Sequence, residues 1–555
     1  MLGFPDPIAA KAWPRRAASP VMGKNGMVAA AHPLVVATGL DVLRRGGNAV
    51  DAAVAAGLTA AVVMPEMCGL GGDLFAIVHG PDCPPVAILG SGNAPMGASL
   101  EDMRRAGVPT RSGIKMSLRG PLSISVPGMV DAYDTLLNRL GTRSFAELAD
   151  AAIGYAEGGY PLTALGAAII AGSAVNLVRH KDSAAVFLPG GAVPTVGAVL
   201  RQPGLAQTLR RLATAGAADF YQGELAQRII SALAEAGGAL ALQDFAGYQT
   251  EVTAPLSTTY RGFSVMQTGL PSQGLILLEA LNILENVGTE RLAKQDGTAI
   301  HYMAEALKLA YADRLAFARD PQTGPSPVET LISKPWAVQR FASLDPSHAQ
   351  EEALAGGLSD GDTTYLCVAD GQGLMVSLIQ SVSSAFGSGI VAGDTGILLN
   401  NRVGRGFSLQ DGHTNLYSPG RKTIHTLNCY MVADPQGTPI LTGGTPGGDG
   451  QPQWNLQVLS GLIDGGLDVQ AAIEAPRWTV WPGTDPHDLP NPYELRVETR
   501  MGEGVISDLE ALGHRVCRTG SWGGSGAAQA IVRDPVTGVL VGGSDPRVEG
   551  LALGF

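Results

Sequence analysis

The first of two adjacent threonines in the second half of the chain is a candidate nucleophile. Thr363 and Thr364 follow Asp362 in the run DTTYLCVADGQGLMVSLIQS. A hydroxyl nucleophile needs a nearby base, and an N-terminal threonine supplies one in its own α-amino group. An internal threonine gains that amine only if the peptide bond before it is cut. The Thr363 hydroxyl could make this cut by attacking the Asp362 carbonyl, after which water would hydrolyse the ester.

The same residues also have a purely structural explanation. The stretch from Asp370 to Gly373 indicates a hairpin turn between two strands. Threonine and tyrosine are favourable strand residues, so the pair could simply open the first strand. The motif by itself leaves both interpretations open.

Other common catalytic motifs are absent from the sequence. It contains no G-x-S-x-G, H-E-x-x-H or P-loop pattern, and its nine histidines lack metal-ligand spacing. Five unclustered cysteines argue against a disulfide framework and a zinc site. We therefore expect neither a metal nor an organic cofactor.

Composition and charge indicate a large soluble protein. The chain has 555 residues, of which 45% are hydrophobic and 16% charged, and a net charge of −12 without a basic run. Nucleic acids and anionic membrane surfaces are therefore poor partners. The N-terminus lacks the basic, apolar and small-residue regions of a signal peptide in their usual order. The longest apolar stretch, residues 52–64, is too short to span a bilayer. We expect a cytoplasmic protein.

The hydrophobic pattern predicts alternating helices and strands in both halves of the chain. Gly46 and Gly47 end a first helix, and Asn48 caps a second. Residues 119–242 are mostly helical in pattern, and the sequence after residue 361 is rich in strands. Further helices are predicted at 298–319, 453–462 and 502–512, and buried strands at 73–79 and 85–89. Such a pattern favours a layered α/β sandwich whose halves pack together.

Nine collinear stretches give the chain a resemblance to a known family. It resembles the γ-glutamyltransferase family of N-terminal nucleophile hydrolases over nearly its whole length. The matching stretches are residues 46–73, 125–137, 219–229, 260–274, 281–286, 304–314, 386–402, 445–450 and 543–547. Each is weak alone, but they occur in order around the Thr-Thr pair.

The resemblance implies a four-layer αββα sandwich and self-cleavage between Asp362 and Thr363. Residues 1–362 would form a large fragment and residues 363–555 a small one, which remain associated as one intertwined unit. Thr363 would be the nucleophile and, through its new amine, the base. Ser381 would activate it, and the backbone N–H groups of Gly447 and Gly448 would form the oxyanion hole.

The substrate pocket departs from the family pattern. Family residues that recognise an α-amine and an α-carboxylate are replaced here by Ser91 with nearby Asn93, Ser383, Arg402, Arg405, His425 and Thr426. An ammonium acceptor has become the guanidinium of Arg402, so an α-amino donor would meet like charge. Two arginines instead suit a compact carboxylate. Ser383 is also a second candidate for tuning the nucleophile.

These departures favour hydrolysis of a small carboxylate-bearing amide, similar to oxamate. The segment 407–422 is shorter than the family's lid loop, which would admit water to the site. The pattern is similar to the branch that includes oxamate amidohydrolases and cephalosporin acylases. One alternative is a true γ-glutamyltransferase or glutathione hydrolase, and another is an uncleaved binding module. The expected partners are the amide and the chain's own two fragments, and a homo-oligomer is compatible with the sequence.

Overall fold

Two antiparallel seven-stranded sheets form the centre of the protein. The computed structural model describes residues 18–110, 113–350, 363–483 and 492–555. The described strands are Val21–Gly23 (β1), Gly26–Ala30 (β2), Asp73–Gly80 (β3), Cys83–Gly90 (β4), Val108–Thr110 (β5), Gly113–Lys115 (β6), Tyr160–Pro161 (β7), Val199–Leu200 (β8), Glu251–Thr253 (β9), Leu256–Tyr260 (β10), Phe263–Gln267 (β11), Thr364–Asp370 (β12), Met375–Ser381 (β13), Tyr430–Ala433 (β14), Pro439–Gly444 (β15), Trp478–Trp481 (β16), Glu494–Glu498 (β17), Val516–Thr519 (β18), Gln529–Arg533 (β19), Leu540–Ser544 (β20) and Leu551–Gly554 (β21).

Helices cover the outer faces of both sheets. The described α-helices are Pro33–Arg44 (α1), Ala49–Val63 (α2), Leu100–Ala106 (α3), Met129–Leu140 (α4), Phe145–Gly158 (α5), Ala164–Leu177 (α6), Lys181–Phe187 (α7), Pro203–Ala215 (α8), Ala217–Gln222 (α9), Glu224–Glu235 (α10), Leu242–Ala246 (α11), Gly274–Leu284 (α12), Thr289–Leu292 (α13), Gly297–Phe317 (α14), Val328–Leu331 (α15), Lys334–Ala342 (α16), Arg402–Gly406 (α17), Gly450–Ile463 (α18), Val469–Glu474 (α19) and Glu503–Ala511 (α20).

Successive side chains along each strand point to opposite faces of the sheet, so each sheet has one face towards helices and one face towards the other sheet. In the first sheet, ordered β21-β2-β12-β13-β3-β4-β9, alternate residues face either α1, α2 and their neighbours or the second sheet. The second sheet, ordered β1-β20-β19-β15-β14-β11-β10, packs its outer face on α12, α14, α18 and α19. A separate apolar cluster fills the space between the sheets. The predicted four-layer αββα sandwich is confirmed.

The predicted local elements near the site are also present. Asn48 caps α2 in a capping box with Asp51, and α2 is buried along its whole length. β12 and β13 form the expected hairpin, in which the Asp370 carboxylate accepts hydrogen bonds from the N–H groups of Gln372 and Leu374. These contacts fix the register that places Thr363 at the free end of the hairpin.

Each sheet contains strands from both sides of the expected cleavage point. In the first sheet β12 and β13, from the second part of the chain, lie between β2 and β3 from the first part. In the second sheet β14 pairs with β11. If the chain is cut before Thr363, the strand pairing and the buried layers would hold the two fragments together. The domain boundaries themselves stay a prediction.

No helix in the described ranges is long and apolar enough to cross a membrane.

Candidate active site

A row of four polar residues crosses the end of the first sheet. Ser381 pairs directly with Asp73 across β13 and β3. The registers of the flanking strand pairs place Thr363 opposite Ser381 and Ser91 opposite Asp73. Directly opposed residues point to the same face of a sheet, so these side chains are neighbours.

The row faces the space between the two sheets. Two residues further along each strand, the side chains of Tyr365, Ile379, Phe75 and Leu89 belong to the apolar cluster between the sheets. Side chains two apart on a strand share a face, so the polar row closes one end of that cluster. Burial beside an apolar core strengthens every electrostatic contact that the row makes.

Thr363 is held by a direct hydrogen bond to Ser381. Its side-chain hydroxyl donates to Ser381 Oγ at 3.1 Å, and Thr363 is 3% exposed. Ser381 Oγ also accepts the backbone N–H of Ser383 at 2.7 Å. Ser383 has a φ of +89°, an unusual value for a residue with a side chain. The strained turn therefore aims an N–H at the oxygen that orients the candidate nucleophile.

Gly447 and Gly448 form a turn directly after β15. Their φ values are +125° and +54°, in the region that favours glycine. Within the described part of the chain, neither N–H has an acceptor. Tyr365, two residues after Thr363, packs its ring against Gly444 at the end of β15. This contact brings the glycine turn and Thr363 to the same end of the sandwich.

Three contacts fix the orientation of this turn. Gln273 Nε2 donates to the carbonyl oxygens of Gly448 and Thr426, each at 2.8 Å. The hydroxyl of Tyr311 donates to the carbonyl of Asp449. The Trp454 ring packs so closely on Gly447 that a Cβ there would lie 2.1 Å from Cζ3. With its carbonyls held from behind, the turn presents two N–H groups suited to stabilise an oxyanion.

Arg402 meets the polar row through Asp73. Its Nε donates to Asp73 Oδ2 at 3.0 Å, and both side chains are almost completely buried. His425 Nε2 also donates to Asp73 Oδ2 at 3.0 Å, while its Nδ1 accepts the N–H of Leu427. The two bonds fix the neutral Nε2–H tautomer of His425. Arg402 Nη2 and Asp73 Oδ1 remain buried without a partner among the described residues.

The charges of this cluster follow from burial and pairing. Burial, together with the charge of Arg402, lowers the pKa of His425 to about 4, so the imidazole is neutral. Burial opposes ionisation of Asp73, but the bond from His425 and the charge of Arg402 hold its pKa below the usual value. Burial lowers the pKa of Arg402, which Asp73 partly offsets. Asp73 therefore balances the positive charge of Arg402.

A pocket of about 490 Å³, including space open to solvent, lies beside Arg402. Its wall combines α14, α17 and the segment 407–422. The lining residues are Arg314, Leu315, Ala318, Arg402, Arg405, Gly406, His413, Thr414, Asn415, Ile424, Thr426 and Asp449. The segment 407–422 thus forms one wall, and three arginines line the pocket.

Not every residue predicted from the sequence lines this pocket. Arg402, Arg405 and Thr426 do, whereas His425 lies behind Asp73 and Asn93 is half-buried elsewhere. The Asn93 carbonyl accepts the N–H of Val126 at 3.0 Å. Asp362, the other half of the predicted cleavage site, lies outside the described residues. Substrate contacts of all these residues stay predictions.

The structure adds residues that sequence reasoning missed. Asp73, Gln273 and Tyr311 lie within the matching stretches and Trp454 lies outside them, but no individual role is predicted from the sequence for any of the four. Asp73 had one recognisable signal, because it is an acid that opens the otherwise apolar strand DLFAIVHG. A charge on the core-facing register of a buried strand needs a partner. The other three are recognisable only once the fold brings them to the glycine turn.

One group of side chains away from the site has metal-ligand atoms in proximity. Among the described residues, atoms of His301, Glu305 and His514 lie within 4.8 Å of one another. His301 Nδ1 and His514 Nε2 are hydrogen bonded at 2.9 Å, and Lys308 Nζ donates to Glu305 at 2.7 Å. These hydrogen bonds already satisfy the polar atoms that would otherwise bind a metal. The positive charge of Lys308 would also repel a metal cation. The absence of a metal cofactor remains a prediction.

Comparisons with known proteins identify the family of the chain. The family model described as Gamma-glutamyltranspeptidase matches residues 36–555. The glutathione hydrolase-like YwrD proenzyme of Bacillus subtilis (strain 168) is 37% identical over 538 residues, covering 96% of this chain and 99% of that protein. The oxamate amidohydrolase proenzyme of Klebsiella pneumoniae is 36% identical over 538 residues, covering 96% and 98%.

Solved structures agree as well. The crystal structure of a cephalosporin acylase from Bacillus halodurans has a TM-score of 0.90 at 35% identity, over 99% of this chain and 98% of that one. The αββα layers therefore occur in a fold shared with an acylase of known structure. The chain belongs to the gamma-glutamyltranspeptidase family.

Proposed function

We propose that this family hydrolase acts on a small amide that carries a carboxylate, of the size and charge of oxamate. The observation that carries the proposal is Arg402, whose Nη2 is buried without a partner among the described residues. Nε is already fixed by Asp73, so the guanidinium is held in one orientation. A buried cationic donor is best satisfied by an anionic acceptor.

The surroundings of Arg402 support the same class of substrate. Arg314 and Arg405 line the pocket with it, and Asp449 is the one carboxylate among the pocket's lining residues in the described part of the chain. A relative from Klebsiella pneumoniae is named for oxamate, a small anionic amide. The pocket's charge and that relative together favour a carboxylate over a neutral acyl group.

The reaction would proceed through an acyl-enzyme. After self-cleavage, the α-amino group of Thr363 takes the hydroxyl proton while Oγ attacks the amide carbonyl. The N–H groups of Gly447 and Gly448 stabilise the oxyanion, and Ser381 orients the nucleophile. The intermediate collapses, and the leaving nitrogen departs with the proton from the amine. Water then attacks the ester, returns a proton to Oγ and releases the acid.

Ammonia release from small amides tests the proposal. Wild-type protein is assayed with oxamate and other short monoamides of dicarboxylic acids. Thr363→Ala should release none. Arg402→Gln, which keeps a donor for Asp73, should raise KM by about tenfold or more because a charge-assisted bond is lost. Arg421→Gln serves as the matched control, because Arg421 does not line the pocket and its side chain donates a hydrogen bond to Gln322 at 3.2 Å.

A second substrate separates this proposal from the glutathione hydrolase alternative. A chromogenic γ-glutamyl anilide carries the α-amine and α-carboxylate that the family pocket recognises. Slow or absent release of the aniline, together with turnover of a small carboxylate amide, supports the proposal. Rapid release of the aniline and no turnover of small amides would replace it.

A further inference from the structure

Two carboxyl groups meet in the helical layer that supports the glycine turn, and both accept a hydrogen bond from the same donor. Trp336 Nε1, on α16, donates to Glu279 Oε1 of α12 at 3.2 Å and to Asp313 Oδ2 of α14 at 3.0 Å. Glu279 is 0% exposed and Asp313 is 5% exposed. The second oxygen of Glu279, Oε2, is buried without a hydrogen-bond partner among the described residues. Three helices therefore converge on a pair of acids that is sealed from solvent.

Among the described residues, one cation faces this pair of acids. Arg340 Nε, on α16, lies 2.9 Å from Asp313 Oδ2 as an ion pair without hydrogen-bond geometry, and its Nη2 donates to the Leu309 carbonyl at 3.1 Å. The remaining Lys, Arg and Glu side chains of α14 and α16 pair elsewhere: Lys308 with Glu305, Arg314 with Asp449, and Lys334 with Glu285.

The other elements packed on α12 add no charge to the acid pair. The strands β10 and β11 and the helix α18 contain no charged residue, and Glu329 of α15 is exposed. One guanidinium balances one carboxylate, and an unbalanced buried charge is strongly unfavourable. One of the two acids must therefore carry a proton.

Glu279 is the acid that keeps this proton. Burial raises the pKa of Glu279 well above its usual 4.5, and a hydrogen bond with Asp313 and the negative charge of that residue raise it further. A protonated carboxyl group is both a donor and an acceptor, so it can accept from Trp336 while it donates to Asp313. Asp313 can then remain ionised beside Arg340.

The helices α12 and α14 also orient the glycine turn. Gln273, at the N-cap of α12, donates to the carbonyl of Gly448, and Tyr311 of α14 donates to the carbonyl of Asp449. Asp313 follows Tyr311 by two residues on the same helix. A second negative charge in the acid pair would push α12 and α14 apart. The two donors would then move away from the turn.

We propose that the proton on Glu279 is a pH-sensitive switch that keeps α12 and α14 together and the glycine turn in its active position. The arrangement is stable while Glu279 is neutral, and it loosens when alkaline pH removes the proton. This inference goes beyond the proposed function, because it concerns the support of the turn and applies to any amide substrate.

Glu279→Gln fixes the pair in its neutral form. Glutamine has nearly the shape of the protonated acid, and it can accept from Trp336 while its NH₂ group donates to Asp313. Above the ordinary pKa of 4.5, the unfolded chain releases the proton that the native protein keeps, so this part of wild-type stability falls as the pH rises. The variant should lack this fall.

The first measurement is Tm between pH 7 and pH 9, a range above the ordinary histidine pKa of about 6.5. The Tm of Glu279→Gln relative to wild type should rise by about 2 °C or more across this range. Asp51→Asn is the matched control, because Asp51 is a buried acid that accepts hydrogen bonds from the N–H groups of Asn48, Thr142 and Arg143 and needs no proton. Its Tm difference from wild type should stay constant.

The second measurement is kcat at pH 7 and pH 9 with the amide that wild type hydrolyses fastest. The ratio of kcat at pH 9 to kcat at pH 7 should be about threefold or more higher in Glu279→Gln than in wild type, because a displaced oxyanion donor costs about 10²–10³ in kcat. Parallel Tm curves of the variant and wild type would overturn the bound proton. Diverging Tm curves with equal kcat ratios would overturn its link to the turn.

A second variant covers a failure of Glu279→Gln to fold. Asp313→Asn removes the negative charge that favours the proton on Glu279, so Glu279 can ionise beside Arg340. The Tm of this variant relative to wild type should also rise from pH 7 to pH 9. A constant difference would overturn the proposal.

Discussion

Replacing Gly447 by alanine should remove most of the catalytic rate while leaving the protein folded. The Cβ of the new side chain would lie 2.1 Å from Trp454 Cζ3, whereas ordinary contacts begin at 3.4 Å. The turn or the indole must therefore move by about 1.3 Å. Alanine is also strained at the φ of +125° that Gly447 adopts. The N–H that we assign to the oxyanion hole would then be displaced.

The size of the effect follows from this displacement. A misplacement of about 1 Å can cost roughly 100-fold in rate. Loss of one oxyanion donor lowers kcat by about 10²–10³. We therefore expect kcat to fall by about 100-fold to 1000-fold, with a smaller change in KM because the pocket around Arg402 is not altered.

The assay is ammonia release from the amide that wild type hydrolyses fastest, combined with urea unfolding. Gly437→Ala is the matched control, because Gly437 has a φ of +85°, is exposed in the turn between β14 and β15, and has no atom within 4 Å of an added Cβ. It should lose about 1 kcal/mol of stability but keep its kcat. A kcat of Gly447→Ala equal to that of the control would refute the assignment of the oxyanion turn.

Three further predictions concern the nucleophile, acidity and metals. Ser381→Ala removes the acceptor of the Thr363 hydroxyl, and kcat should fall by about tenfold or more; an unchanged kcat would exclude the orienting role. His32 and His425 are buried, and their pKa values of about 4 lie below the ordinary 6.5. The unfolded chain therefore binds more protons between these values, so Tm should be highest above pH 6.5 and fall as the pH drops towards 4. A constant Tm across this interval would contradict it. Dialysis against EDTA should not change kcat, and a loss that zinc restores would point instead to the cluster around His301.

The sequence predicted the hairpin because it depends on local order, whereas the nucleophile role of Thr363 is implied by the family resemblance and stays a prediction. Thr363 and Ser381 are set by a strand, a turn and a second strand whose register follows from periodicity and turn chemistry. Gly447 and Gly448 were singled out by the family resemblance, and the structure shows that both adopt backbone angles that few other residues tolerate. The hairpin was predictable because neighbouring residues define it.

The counter-charge of Arg402 was not predictable in this way. Asp73 is 329 residues away from Arg402 in the chain. The two meet because the segment before α17 pairs with the segment before β3, where Leu399 bridges Gly71 and the Asn400 N–H donates to the Gly71 carbonyl. Sequence reasoning gave His425 a direct substrate role, whereas the structure places it behind Asp73, away from the pocket lining. Alternation along β3 could have indicated that Asp73 points inward, but not which cation it meets.

The mass of the purified, active protein tests the central claim most directly. The account predicts two fragments. The first has 362 residues, and the second begins at Thr363 and has the remaining 193 of the 555 residues. Thr363→Ala should give a single full-length chain without activity. Full activity in a preparation whose chain is intact between Asp362 and Thr363, or in the alanine variant, would contradict it.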